Sequence, residues 1–115
     1  MEVGVDIIEI ARIRSLYDRY GESFLRRILT VAEMGQCLAK PDPVASLAGR
    51  FAAKEAVSKA LGTGISGGLS WHSVEVLNNE NGRPLVTLHG FPGFRVSISI
   101  SHDRHSAVAM AVIER

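Results

Sequence analysis

The tightest constraint in the sequence lies between residues 42 and 62. Asp42 stands where an N-cap belongs, Pro43 presets φ for a first helical turn, and Gly62, just past Leu61, suits a left-handed C-terminal cap. The spacing predicts one helix over 43–61, roughly 28 Å long. On a helical wheel centred on Glu55, Val44, Ala48, Phe51 and Ala52 fall within about 60°, at roughly 100° per residue, so Glu55 sits in the middle of the apolar stripe. Arg50 and Lys54 lie about 100 to 140° away and are expected to face solvent, a loop or a neighbouring subunit. Phe51, with the single tryptophan Trp71, reads as a core anchor.

The other elements arrange themselves around this helix. Residues 3–10 are apolar on both faces of a strand, which predicts a central or near-central position covered on both sides. Thr30-Val31-Ala32-Glu33 matches a capping box, and Leu29 with Met34 forms the matching hydrophobic staple, so a helix is expected from about residue 31. The Gly-rich stretch from Gly62 to Gly68 separates a helical first half from a strand-rich second half. There, 72–78 and 84–89 read as a hairpin across Asn79-Glu80-Asn81-Gly82, followed by strands at 95–101 and 106–113. Ala107, Ala109 and Ala111 share one face of the last strand, where a helix can pack closely. The expectation is a single α+β domain over residues 1–115, a mostly antiparallel sheet against one long helix.

Charge and cysteine content narrow the function. Thirteen Lys and Arg against twelve Asp and Glu leave a formal charge of +1, which argues against a dedicated nucleic-acid or membrane-surface binder. Cys37 is the only cysteine, which excludes an internal disulfide, a Cys-based zinc cluster and a CxxC redox pair. The acidic start, Met1-Glu2-Val3-Gly4-Val5-Asp6, is unlike a signal peptide, and no apolar run approaches the roughly 20 residues that span a bilayer. A cytoplasmic setting is expected.

Two carboxylates sit where carboxylates are costly. Glu55 lies on the apolar helix face, and Asp6 lies between Val5 and Ile7 on the first strand. Each has an ordinary reading: Glu55 pairs with Lys59 at i,i+4, and Asp6 caps a nearby loop. Together they have another. Two carboxylates from separate elements, with coordination positions left over, suit Mg2+, which prefers oxygen ligands and is completed by water and substrate phosphates. Lys59 then lies on the metal-facing side of the helix, able to meet a phosphate or protonate a leaving group. Gly62-Thr63-Gly64 is compatible with close phosphate approach, although it lacks the P-loop pattern. His102 follows a strand end, a common place for functional groups, and Asp103 and His105 carry weaker signals. Capping alone accounts for Thr30, Glu33 and Asp42. Residues 10–29 hold Arg12, Arg14, Arg19, Arg26 and Arg27 against Asp18 and Glu22, a basic patch that either steers an acidic protein or is solvated.

These residues resemble a known family. Gly4-Val5-Asp6-Ile7-Ile8-Glu9, Arg27-Ile28-Leu29-Thr30 with Glu33, the run from Gly49 to Gly64 containing Phe51-Ala52-Ala53-Lys54-Glu55-Ala56 and Lys59, Asn81-Gly82-Arg83-Pro84, and Ser99-Ile100-Ser101-His102-Asp103 are similar to the holo-acyl-carrier-protein synthases. The resemblance spans almost the whole chain. It implies the phosphopantetheinyl transferase fold and transfer of 4'-phosphopantetheine from coenzyme A to a serine of apo acyl carrier protein, with Mg2+. It implies that Asp6 and Glu55 bind Mg2+ with the coenzyme A pyrophosphate, and that Lys59 holds or protonates the leaving 3',5'-ADP. His102 is implied near the nucleotide, Arg50 as a phosphate contact, Gly62 in the cofactor site, and Arg12 and Arg27 in carrier docking. A homotrimer with sites between subunits is also implied. The residues by themselves leave open a non-catalytic carrier-protein or nucleotide-binding module, a metal-dependent phosphohydrolase and a plain structural oligomer.

Overall fold

The computed structural model describes residues 1–65 and 69–115. Its elements are β1 (Glu2–Glu9), α1 (Ile10–Tyr20), α2 (Glu22–Ile28), α3 (Val31–Leu38), α4 (Val44–Leu61), a 3-10 turn (Trp71–Ser73), β2 (Val74–Asn78), β3 (Pro84–Leu88), β4 (Arg95–His102) and β5 (Ser106–Glu114). The Gly-rich stretch expected between the halves falls partly on residues 66–68, outside the described residues.

Helix α4 ends where its sequence dictates and starts one residue later than expected, at Val44 with Pro43 as its N-cap. The Val44 amide donates to Asp42 Oδ1 (3.1 Å), Leu47 N–H bonds to Pro43 O (2.9 Å), and Gly62 closes the helix at φ 75°, its N–H on Lys59 O. The expectation of a single buried stripe fails. β1 and β5 cover one flank while α1, α3 and β2 pack on others, so Leu47, Ala48, Ala52, Ala53, Ala56 and Val57 are all fully buried. Arg50 and Lys54, expected at the surface, are buried with them. The least buried face of α4 runs through Phe51, Glu55 and Lys59, the side the wheel takes as its apolar centre, and the alanines let neighbours cover the rest from several directions.

Two antiparallel sheets complete the domain, one ordered β1-β5-β4 and one pairing β2 with β3. Ala107, Ala109 and Ala111 of β5 face inward and are buried, as their size suggested. β1, however, is an edge strand in the chain. Gly4 and Ile8 are buried toward α4, whereas Val3, Val5 and Ile7 on its other face are 54%, 51% and 68% exposed. Apolar alternation on both faces marks surface that needs covering, and this chain supplies cover for one face.

The short-range signals behave as expected. Thr30 and Glu33 form the capping box of α3, with Glu33 N to Thr30 Oγ1 at 3.2 Å and Thr30 N to Glu33 Oε1 at 2.8 Å. Asn79 Oδ1 accepts from the amides of Asn81 and Arg83, closing the β2–β3 hairpin with Gly82 at φ 81°. Residues 72 and 73, expected in the strand, belong instead to the 3-10 turn, because Ser70 and Ser73 cap each other. Among the described residues no helix is long and apolar enough to cross a membrane.

Candidate active site

A missing methyl group sets the position of Asp6. A Cβ built on Gly4 would collide with the Ala56 carbonyl and lie 2.7 Å from Ala60 N, so β1 rests directly on the backbone of α4. Asp6, two residues on and turned toward the same face, thereby reaches the last turns of that helix. Lys59 Nζ donates to Asp6 Oδ1 at 2.7 Å and to Val5 O at 3.3 Å, with the Asp6 side chain only 14% exposed. The hydrogen bond to Asp6 holds the Lys59 ammonium above the usual lysine range.

Glu55 joins this pair without being hydrogen-bonded into it. Burial pushes its carboxyl above the usual glutamate range, the nearby Asp6 charge pushes the same way, and Lys59 and Arg12 oppose both. Among the described residues no hydrogen bond to its carboxylate accompanies these effects. Two carboxylates and an ammonium from β1 and α4 therefore share one locality, and one carboxylate is left half-buried with no hydrogen bond from the described residues. Lys59 also borders a cavity of about 850 Å³, lined by Gly62, Thr63, Phe91, Phe94 and Arg115.

The remaining site residues lie elsewhere. Arg50 and His102 line a cavity of about 370 Å³ with Lys40, Ser46 and Asn78. His102 is exposed at the end of β4, while Arg50 is 3% exposed, its guanidinium donating to Val76 O (3.0 Å), Ser46 Oγ (2.5 Å) and Gln36 Oε1 (2.7 Å). Asp103 Oδ1 accepts from the amides of His105 and Ser106, and so shapes the β4–β5 turn. Arg12 and Arg27 line a third concavity, about 470 Å³, with Tyr20, Phe24, Phe51 and Trp71. Phe51 and Trp71, expected as core anchors, are half-buried groove walls with ring centroids 4.8 Å apart. The structure also sorts the arginines. Arg14 pairs with Asp42 and Arg26 with Glu22, both at 2.7 Å, whereas among the described residues Arg12 and Arg27 have no carboxylate within ion-pair distance.

The model of the 4'-phosphopantetheinyl transferase superfamily matches residues 2–113. The chain belongs to this superfamily. It is similar to the holo-[acyl-carrier-protein] synthases of Chlorobaculum tepidum, 74% identical over 99% of this chain and 98% of that one, and Chlorobaculum parvum, 69% identical over the same shares. Among solved structures, the Helicobacter pylori holo-[acyl-carrier-protein] synthase in complex with coenzyme A superposes with a TM-score of 0.88, at 38% identity, covering 97% of this chain and 99% of that one. The Bacillus anthracis enzyme in complex with CoA (3',5'-ADP) gives 0.88 at 39% identity, covering 97% and 94%. The α+β architecture read from the sequence is that of these transferases.

The donor set of this transferase fits a hard cation. Among the described residues there is no cluster of three or more His, Cys, Asp or Glu that could hold a metal ion. Two carboxylates, one of them half-buried and given no hydrogen bond by the described residues, suit Mg2+, which keeps several waters and takes phosphate oxygens. What residue-by-residue reading missed is the pair Glu33 and Lys54. Both side chains are fully buried and 2.8 Å apart, and Glu33 does more than cap α3. Spacing gave no warning of the pair, because the i±4 neighbours of Lys54 are the polar Arg50 and Ser58.

Proposed function

We propose that the chain transfers the 4'-phosphopantetheine group from coenzyme A to a serine of an apo acyl carrier protein, releasing 3',5'-ADP. The observation that carries this reading is the half-buried Glu55 carboxylate, given no hydrogen bond by the described residues and held beside Asp6 and Lys59. Asp6 and Glu55 are the residues that would hold Mg2+, which when bound offsets the charge of pyrophosphate oxygens. The carrier's serine Oγ bonds to the β-phosphorus as the bond from that phosphorus to the bridging oxygen breaks. Glu55, directly or through a water, is placed to take the serine proton. The Lys59 ammonium, kept protonated by Asp6, meets the charge that builds on the departing 3',5'-ADP.

Further features support the same reading. His102 and Lys40 give the cavity beside Arg50 a basic rim suited to the nucleotide end of coenzyme A. Arg50, already bonded three ways, acts there by fixing the cavity wall and its charge. Gly62 sits beside Lys59 in the large cavity, where a glycine permits close phosphate approach. Arg12 and Arg27, in no ion pair among the described residues, suit an acidic carrier protein. The open face of β1, with Val3, Val5, Ile7 and the 46% exposed Met110 of β5, supports a homotrimer. So does the placement of Arg50 and His102 in a cavity separate from Asp6, Glu55 and Lys59, which leaves the site to be completed across a subunit boundary. A cytoplasmic enzyme is consistent with the single, buried, free Cys37.

Incubation with coenzyme A, Mg2+ and an apo carrier tests the reading by mass spectrometry. The carrier should gain one phosphopantetheine, and chelation of Mg2+ should abolish the gain. Carrier binding without the mass gain, or release of 3',5'-ADP without any carrier, would overturn it.

A further inference from the structure

The buried Lys54 makes contacts that no step of the transfer uses. Its side chain is fully buried, and its ammonium, which has three protons to give, donates to Glu33 Oε1 (2.8 Å), Trp71 O (2.8 Å) and Val74 O (2.5 Å). Glu33 is equally committed. Oε1 accepts from Thr30 N and Lys54 Nζ, both at 2.8 Å, and Oε2 accepts from Val76 N at 2.8 Å. One satisfied network thus ties α4 to the start of α3, to β2 and to the 3-10 turn.

That turn matters to the surface. It carries Trp71, whose ring lies on Phe51 and walls the groove containing Arg12 and Arg27. Its next residue, His72, places Nε2 2.7 Å from the Arg26 carbonyl at the end of α2, beside Arg27. Three attachments therefore hold the turn: His72 on the Arg26 carbonyl of α2, Lys54 on the Trp71 carbonyl from inside, and the His89 amide on the Ser73 carbonyl at 2.7 Å. Lys54 is also the chain neighbour of Glu55, so the residue that anchors the groove wall is fixed by the same helical turn that presents the reactive carboxylate.

We infer that Lys54, with Glu33 as its counterion, is a positioning residue: it sets the Trp71 wall of the carrier groove in register with Glu55, and so governs how well the carrier's serine is delivered. This rests on the reading of the Arg12–Arg27 groove as the carrier dock. A buried pair of this kind adds little net stability, but its geometry is unforgiving once formed. A low-dielectric network with every donor and acceptor used allows few alternative arrangements.

The test uses E33Q/K54M in the full chain, because K54M alone leaves an ionised Glu33 in the interior. Trp71 is the only tryptophan, so its fluorescence reports the wall directly. With folding verified by circular dichroism, the double variant should shift Trp71 emission to longer wavelength before any ligand is added. Its KM for apo carrier should rise roughly tenfold, while KM for coenzyme A stays within about twofold, inside the spread of a neutral change. Native emission with an unchanged carrier KM would overturn the inference, and so would a fall in kcat alone. If the double variant does not fold, W71L removes the wall itself. A carrier KM unchanged in W71L overturns the inference, and a raised one supports it. R27E separates the two readings: a carrier KM indifferent to R27E removes the dock, whereas the emission shift still decides whether Lys54 places the wall.

Discussion

Lys54 and Glu55 are adjacent on α4, turned about 100° from each other, and their surroundings treat charge in contrasting ways. Lys54 is enclosed, and each of its donors meets an oxygen. Glu55 is half-buried beside a second carboxylate, with Lys59 bonded to Asp6 and not to it. The first arrangement spends its charge on structure. The second keeps charge available, at some cost in stability, for a ligand the chain does not provide. A buried charge by itself is therefore a poor marker of chemistry, and the state of its partners is the better one.

The largest expected effect falls on the enclosed side. K54M should lower the unfolding free energy by about 3–5 kcal/mol, since it strands the Glu33 carboxylate, and urea denaturation reads this directly. If K54M is as stable as the native chain, the contrast between the two residues is broken. On the open side, D6N and E55Q should each slow carrier modification by about 10²–10³-fold with circular dichroism unchanged. G4A should cost about 1–3 kcal/mol by overpacking and should reduce turnover as well, because β1 must lift from α4 and carry Asp6 with it.

The smallest effect has a definite sign. Glu55 holds its proton more tightly folded than unfolded, so the native state binds more protons between its unfolded and folded pKa values and stability falls as pH rises through that window. With divalent ions chelated, E55Q should therefore be more stable than the native chain at pH 7, by at most about 1 kcal/mol because the group is partly hydrated. The gain should vanish below about pH 4, where glutamate is protonated in both states. Thermal melts across that range read it.

The contrast also marks how far the sequence could be read. The ends of α4, the Thr30–Glu33 box, the Asn79–Gly82 hairpin and the alanine face of β5 were legible because each rests on bonds within a few residues or on one strand's alternation. Asp6 and Glu55 stood out as charges among apolar neighbours, and β1 and α4 do bring them into one locality. Lys54 and Arg50 were misplaced because a wheel assumes one buried face, while α4 is enclosed by both sheets and by α1 and α3. β1 was misplaced because its pattern says that surface needs covering without saying what covers it. Arg26 pairs with Glu22 at i,i+4, a spacing visible in the sequence, whereas the pairing of Arg14 depends on where Asp42 lies, which no local pattern encodes.

The seating of Gly4 on Ala56 and Ala60 has a consequence for heat. Side-chain packing loosens gradually on warming, whereas main chain resting on main chain has no rotamers to populate. The spacing of the two acids should then hold steady up to the melting transition, and turnover should rise smoothly with temperature and stop abruptly, without a preceding plateau.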